Sequence, residues 1–128
     1  MTDGVFESVI DGVRAICMAL PETTEQNEGS VGKPVFKVRD KIFAMQHPMD
    51  ERPSLWCKAT PGLREMLLGS EPERYFVPPY VGSRGWIGVW LDVELDWGII
   101  QELVEESYRK TGSKRLSALI GQKKKANK

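Results

Sequence analysis

Apolar positions recur at steps of three and four from the start of the chain. Phe6, Val9, Ile10, Val13, Ile16, Cys17 and Leu20 form one stripe, with Glu7, Asp11 and Arg14 off it. That period predicts an amphipathic helix over residues 4–20, stopped by Pro21. Residues 22–33 are polar and read as a loop or an irregular edge strand. The period then changes to two. Val35-Phe36-Lys37-Val38 and Ile42-Phe43-Ala44-Met45 flank Arg39-Asp40-Lys41 and predict a β-hairpin. A tight turn puts Phe36, Val38, Phe43 and Met45 on the core face and leaves Val35, Lys37, Ile42 and Ala44 on the other. The turn carries no glycine, so its type is open.

After a polar loop over 47–53, Leu55-Trp56-Cys57-Lys58 reads as a short strand. Thr60-Pro61 reads as an N-cap followed by proline at the first helical position, opening a helix with Leu63, Met66 and Leu67 inward and Gly69 as its stop. Residues 70–85 are mostly loop, with Tyr75-Phe76-Val77 a strand fragment. From Trp86 to Leu91 the alternation is strict: Trp86, Gly88 and Trp90 on one face, Ile87, Val89 and Leu91 on the other. Asp96 caps the last long helix, with Ile99, Ile100, Leu103, Val104 and Tyr108 inward and Gln101, Glu102, Glu105 and Glu106 toward water. Gly112 ends or loosens it, and Leu116, Leu119 and Ile120 add a further turn or two. The order α-β(3-4)-α-β(1-2)-α predicts a two-layer α+β fold, an antiparallel sheet covered by helices on one face. It is expected as a single domain over 1–120, followed by a basic, disordered tail over 121–128.

Charge changes this picture more than composition does. The formal net charge is zero. Yet residues 1–108 hold 10 Lys/Arg against 18 Asp/Glu, while residues 109–128 hold 8 Lys/Arg and no acid. An acidic body thus precedes a basic end. The two cysteines, Cys17 and Cys57, lie in apolar stretches without Cys-x-x-Cys spacing and read as buried free thiols. No apolar run approaches the roughly 20 residues of a membrane span. Met-Thr-Asp-Gly does not open a signal peptide, so a cytoplasmic location is expected.

Catalytic chemistry is sparse. The single histidine, His47, sits in the loop-like His-Pro-Met-Asp-Glu. A His/Cys metal site needs more ligands than these, and neither cysteine stands in a nucleophile-like context. No phosphate-binding glycine loop of the P-loop or dinucleotide kind occurs. Glu22, Glu25 and Glu28 step by three but are more simply a solvated acidic loop. No catalytic residue, metal or cofactor is expected.

Three constellations remain. Lys33, Lys37, Arg39 and Lys41 surround the hairpin, whose projecting tip suits phosphates; the bland alternative is protection of an exposed strand against aggregation. Tyr80, Arg84, Trp86 and Trp90 offer stacking surfaces beside a glycine-containing loop, against the alternative that the tryptophans are core. The basic tail can meet any acidic surface or simply solubilise the chain.

The order of these landmarks resembles the MmcQ/YjbR family of small bacterial proteins, whose domain is described as CyaY-like. The resemblance rests on Ala19-Leu20-Pro21, Gly32-Lys33-Pro34-Val35-Phe36-Lys37-Val38 and Lys41-Ile42-Phe43-Ala44. It continues through Gly82, Gly85-Trp86-Ile87-Gly88-Val89, Leu91-Asp92 and Asp96-Trp97 to Glu102-Leu103, Ser107-Tyr108-Arg109 and Lys114-Arg115-Leu116. It implies a two-layer α+β domain and a DNA-binding role inferred from a double-wing-like shape, with no catalytic motif to carry over. This sequence departs in having Arg39-Asp40 where a glycine is usual at the hairpin turn, in Thr111-Gly112 within the terminal helix, and in a longer lysine tail.

The expected function is therefore a small monomeric DNA-binding module that uses Lys33, Lys37, Arg39, Lys41 and Arg84. The alternative is a module for binding another protein through Tyr80, Trp86 and Trp90 or a sheet edge. A third reading is a small-molecule binder with a pocket near Tyr80, Arg84 and Glu25.

Overall fold

The computed structural model describes residues 2–27, 33–79 and 81–126, with backbone alone for 2–8, 83 and 121–126. In chain order the elements are α1 (Thr2–Met18), β1 (Thr23–Gln26), β2 (Val35–Val38), β3 (Lys41–Gln46) and β4 (Ser54–Lys58). They continue with α2 (Pro61–Ser70), β5 (Tyr75–Phe76), β6 (Trp86–Trp90), α3 (Trp97–Thr111) and α4 (Lys114–Ala126). The six strands form one sheet in the order β1-β2-β3-β4-β6-β5, each antiparallel to its neighbour. This is the expected α+β architecture. No helix among the described residues is long and apolar enough to cross a membrane.

Local sequence explains most boundaries. The Asp96 carboxylate accepts from the Ile99 N–H at 3.2 Å and opens α3 as a side-chain cap. Pro61 occupies the first turn of α2, but the Thr60 hydroxyl makes no capping bond. Gly69 lies inside α2, which ends one residue later. The polar segment after Pro21 supplies the edge strand β1, and α4 continues helical past Gly121. The side chains of the expected tail, 121–128, lie outside the described residues.

One core joins helices to one face of the sheet. Val13 and Cys17 of α1, Leu67 of α2, Ile100, Leu103, Val104 and Tyr108 of α3, and Leu116 and Ile120 of α4 cluster there. They meet Phe36, Val38, Phe43, Ala44, Leu55, Cys57, Ile87 and Val89. Both thiols are free and buried, as expected, and burial pushes the Cys57 thiol up to about 12. Val35, Trp56, Trp86 and Trp90 are buried as well but lie outside this cluster, on the other side of the sheet.

The hairpin register corrects the sequence reading. Phe36 opposes Ala44 and Lys37 opposes Ile42, so Phe43 is an extra residue, a β-bulge. The inserted residue shifts everything beyond it by one position. Ala44 therefore joins the core and Met45 turns to the other face, across from Val35 and Trp56. The turn itself is the two-residue type I′ form, with φ of 53° at Arg39 and 64° at Asp40. Neither residue is glycine, so both bear a left-handed backbone that costs an ordinary L-residue about 1–2 kcal/mol. Replacing Asp40 with glycine is expected to raise stability by about 0.5 kcal/mol after the extra freedom of the unfolded chain is counted. Urea denaturation checks this: the midpoint rises at constant m, whereas a falling midpoint would assign Asp40 a stabilising contact.

Candidate nucleic-acid interface

The strands run so that one end of the sheet gathers cations. The β2–β3 turn, the last residue of β4 and the first of β6 all lie there, because Cys57 opposes Ala44 and Lys58 opposes Trp86. Arg39 lies in the turn and Lys41 follows it, and both are exposed. Arg84 closes a single 3-10 turn, Gly82–Arg84, that leads into β6 and is likewise exposed. Lys58 sits between them on β4. The C-terminal end of α3 arrives at the same place, since Ser107 donates to the Phe43 carbonyl at 2.5 Å and Thr111 contacts Lys58. It brings Lys110, whose charge acts on Lys58 together with that of Lys41.

Lys58 is held closely. Its backbone N–H donates to the Ser107 hydroxyl at 2.8 Å, and its Nζ donates to Thr111 Oγ1 at 2.9 Å. The Nζ also lies 5.9 Å from the centre of the Trp86 ring. Burial first, then the neighbouring charges of Lys41 and Lys110, pull its ammonium below the ordinary lysine range. Arg39, Lys41, Arg84 and Lys110 make no ion pair among the described residues.

The opposite end of the sheet is acidic. Asp50, Glu51, Asp92, Glu94 and Asp96 collect where β3 leaves, β4 enters and β6 ends. Two arginines there are committed to acids. Arg52 makes two hydrogen bonds to Asp92 at 2.7 and 2.8 Å, holding that carboxyl below its usual range. Arg74 pairs with Glu71 at 3.2 Å and Glu94 at 3.8 Å. The two ends of the sheet thus differ in charge balance, although Asp40 stands in the turn at the basic end.

Three of the five expected phosphate contacts lie at this end, Arg39 and Lys41 at the hairpin tip and Arg84 two strands away, about 10 Å across the sheet, whereas Lys37 is half-buried within β2 on the sheet face opposite its neighbours Phe36 and Val38. Lys33 is not with them. It precedes β2 at the other end, six residues or about 20 Å of extended chain from Arg39. Lys58 and Lys110 were missed. A lysine closing an apolar strand and one at a helix C-terminus are individually unremarkable, and only the α3–β4 packing joins them.

The aromatic constellation is corrected. Trp86 is 7% exposed and Trp90 8%, so neither presents an open face. Phe76 stacks on Trp90 with ring centres 4.2 Å apart, and the Arg52 guanidinium lies over the same indole at 3.9 Å. Tyr80 lies outside the described residues. His47 stacks on Trp56 at 4.3 Å, and its Nδ1 lies 2.8 Å from the Pro48 carbonyl oxygen, an arrangement that seals the sheet face. The pocket imagined near Arg84 and Glu25 does not exist as one site, because β1 and β6 are four strands apart, about 19 Å. Glu25 instead pairs with Arg14 at 2.7 Å.

A cleft of about 390 Å³ does lie between α2 and α3, lined by Thr60, Leu63, Glu102, Glu105 and Arg109. Glu105, expected in water, is 7% exposed and lines this cleft. Gln101 donates to it at 3.1 Å and Arg109 lies 3.9 Å away. Among the described residues no group of three or more His, Cys, Asp or Glu is arranged to hold a metal ion.

Comparison with known proteins agrees with the fold. The family model described as YjbR matches residues 18–110. The Escherichia coli K12 protein named uncharacterized protein YjbR is 30% identical over 95 residues, covering 73% of this chain and 78% of the relative. The same values hold for its counterpart in strain O157:H7. The crystal structure of a Deinococcus radiodurans protein with a DUF419 domain superposes with a TM-score of 0.71 at 23% identity, covering 88% of this chain and 87% of that one.

Proposed function

This chain belongs to the YjbR family, and from the charge separation along its sheet we propose that it binds the phosphate backbone of duplex DNA. The observation that carries this reading is the convergence of Arg39, Lys41, Lys58, Arg84 and Lys110 at one end, where Asp40 stands in the turn and Glu22 is paired with Arg115 at 3.0 Å, against Asp50, Glu51, Asp92, Glu94 and Asp96 at the other. Phosphate contacts need cations spread over one surface, not a base-reading helix. The acidic end would be repelled by the same polyanion, which orients the domain tip-first. The hairpin tip projects two cations, while Lys58 and Lys110 form the floor behind it.

Fluorescence anisotropy with a labelled duplex of about 20 base pairs tests this. Five contacts predict a slope of log affinity against log salt of about −4. The variant Lys41→Glu/Lys110→Glu is expected to lose at least about tenfold in affinity and to flatten the slope by about two. Lys33→Glu, at the far end, is expected to change little. Absence of binding at about 50 mM salt, or an unchanged affinity in the doubly reversed variant, would sink the proposal.

A further inference from the structure

Resting on the reading of this end of the sheet as a DNA surface, we propose that the β2–β3 tip reads G·C pairs in the major groove, with Arg39 donating to guanine and Asp40 accepting from cytosine. Asp40 is the residue that phosphate contact leaves unexplained. It stands at the leading edge of the basic end, where a phosphate would repel its carboxylate. Stability does not account for it either. The two-residue turn holds Arg39 at φ 53° and Asp40 at φ 64°, and glycine is the residue such a turn favours at its second position. Both side chains are exposed, and neither forms an ion pair with a described residue. A donor fork and a carboxylate therefore stand side by side on a backbone that favours neither residue, and such backbone outliers cluster at functional positions.

The shape of the tip fits one groove. Paired strands lie about 4.8 Å apart, and the major groove, about 12 Å wide, admits such a ribbon, whereas the minor groove, about 6 Å wide, does not. Consecutive Cα atoms are about 3.8 Å apart and stacked base pairs about 3.4 Å, so the two tip residues face neighbouring pairs. The guanidinium presents parallel N–H donors that match guanine N7 and O6. The carboxylate can only accept, and cytosine presents only its N4 donor. Adenine sets an N7 acceptor beside its amino group, and thymine presents O4, so both repel a carboxylate. Turning Arg39 to a base leaves the phosphates to Lys41, Lys58, Arg84 and Lys110, and four contacts still predict a salt slope of about −4.

Fluorescence anisotropy at one low salt concentration compares labelled duplexes of about 20 base pairs, one of alternating G·C and one of alternating A·T sequence. The wild-type chain is expected to bind the G·C duplex at least about tenfold more tightly. Arg39→Gly and Asp40→Asn both introduce residues that a left-handed backbone accepts, so the turn is kept. Arg39→Gly is expected to bring the ratio of affinities to about one. Asp40→Asn removes a negative charge and strengthens binding to both duplexes. It strengthens A·T binding more, because an amide can bridge adenine N6 and N7, and the ratio is expected to fall to about two or less. Equal wild-type affinity for the two duplexes overturns the base reading and leaves backbone binding standing. So does a ratio left unchanged by either substitution, the result expected of a carboxylate that acts by repulsion alone. Failure to bind either duplex overturns the DNA reading and this inference with it.

Discussion

Gly88→Val is expected to cost about 3 kcal/mol and to lower the melting temperature by about 10 °C. Gly88 sits in β6 between Trp86 and Trp90 on the same face. A Cβ at this position would lie 2.2, 2.4 and 2.5 Å from three ring atoms of Phe76. The ring cannot swing away cheaply, because it is stacked on Trp90, which Arg52 covers. Moving it opens the stack and exposes buried indole. The argument is separable from generic strand damage by a double-mutant cycle. Gly88→Ala is expected to cost about 2 kcal/mol in the native background and close to nothing once Phe76→Ala has emptied the space. Equal costs in the two backgrounds would show that Phe76 is not the obstacle.

Ser107→Ala is expected to cost about 2–3 kcal/mol, much more than the loss of one exposed hydroxyl. Ser107 is fully buried, and its Oγ donates to the Phe43 carbonyl while accepting from the Lys58 N–H at 2.8 Å. It therefore fills the gap where β3 and β4 stop pairing with each other. The bulge that makes Phe43 unpaired against β2 and the serine that answers its carbonyl are two halves of one feature. Alanine leaves a buried acceptor and a buried donor without partners. Hydrogen exchange reads this directly: the Lys58 amide is expected to lose protection beyond the global drop in stability. A Lys58 amide that stays protected at the wild-type level relative to its neighbours would refute the bridge.

Much of the fold was legible because it is local. The i, i+3, i+4 stripe that buries Val13 and Cys17 is a property of a dozen consecutive residues. So is the Asp96 cap, found with its bond to Ile99 as read. The alternation in Trp86–Trp90 placed Ile87 and Val89 in the core correctly. The hairpin was read correctly as a hairpin and wrongly in register beyond Phe43. Period-two reasoning assumes no inserted residue, and the insertion here is answered by a serine 64 positions away. Turn type was equally hidden, since Arg39 and Asp40 adopt positive φ without the glycine that usually announces it.

The candidate site divides along the same line. Lys37, Arg39 and Lys41 could be grouped from sequence because a hairpin is short-range. Lys33 was grouped with them wrongly, because neighbours in sequence are far apart along an extended strand. Lys58 and Lys110 are 52 residues apart, and nothing in either segment marks them as a pair. By itself the sequence determined that an acidic body must fold as helices over an antiparallel sheet, since local periods and caps depend on near neighbours. Only the tertiary structure decided that Trp86 and Trp90 are closed and that three lysines share one end. Those outcomes depend on what Phe76, Arg52 and the end of α3 pack against, and packing contacts are set by the sheet order, not by distance along the chain.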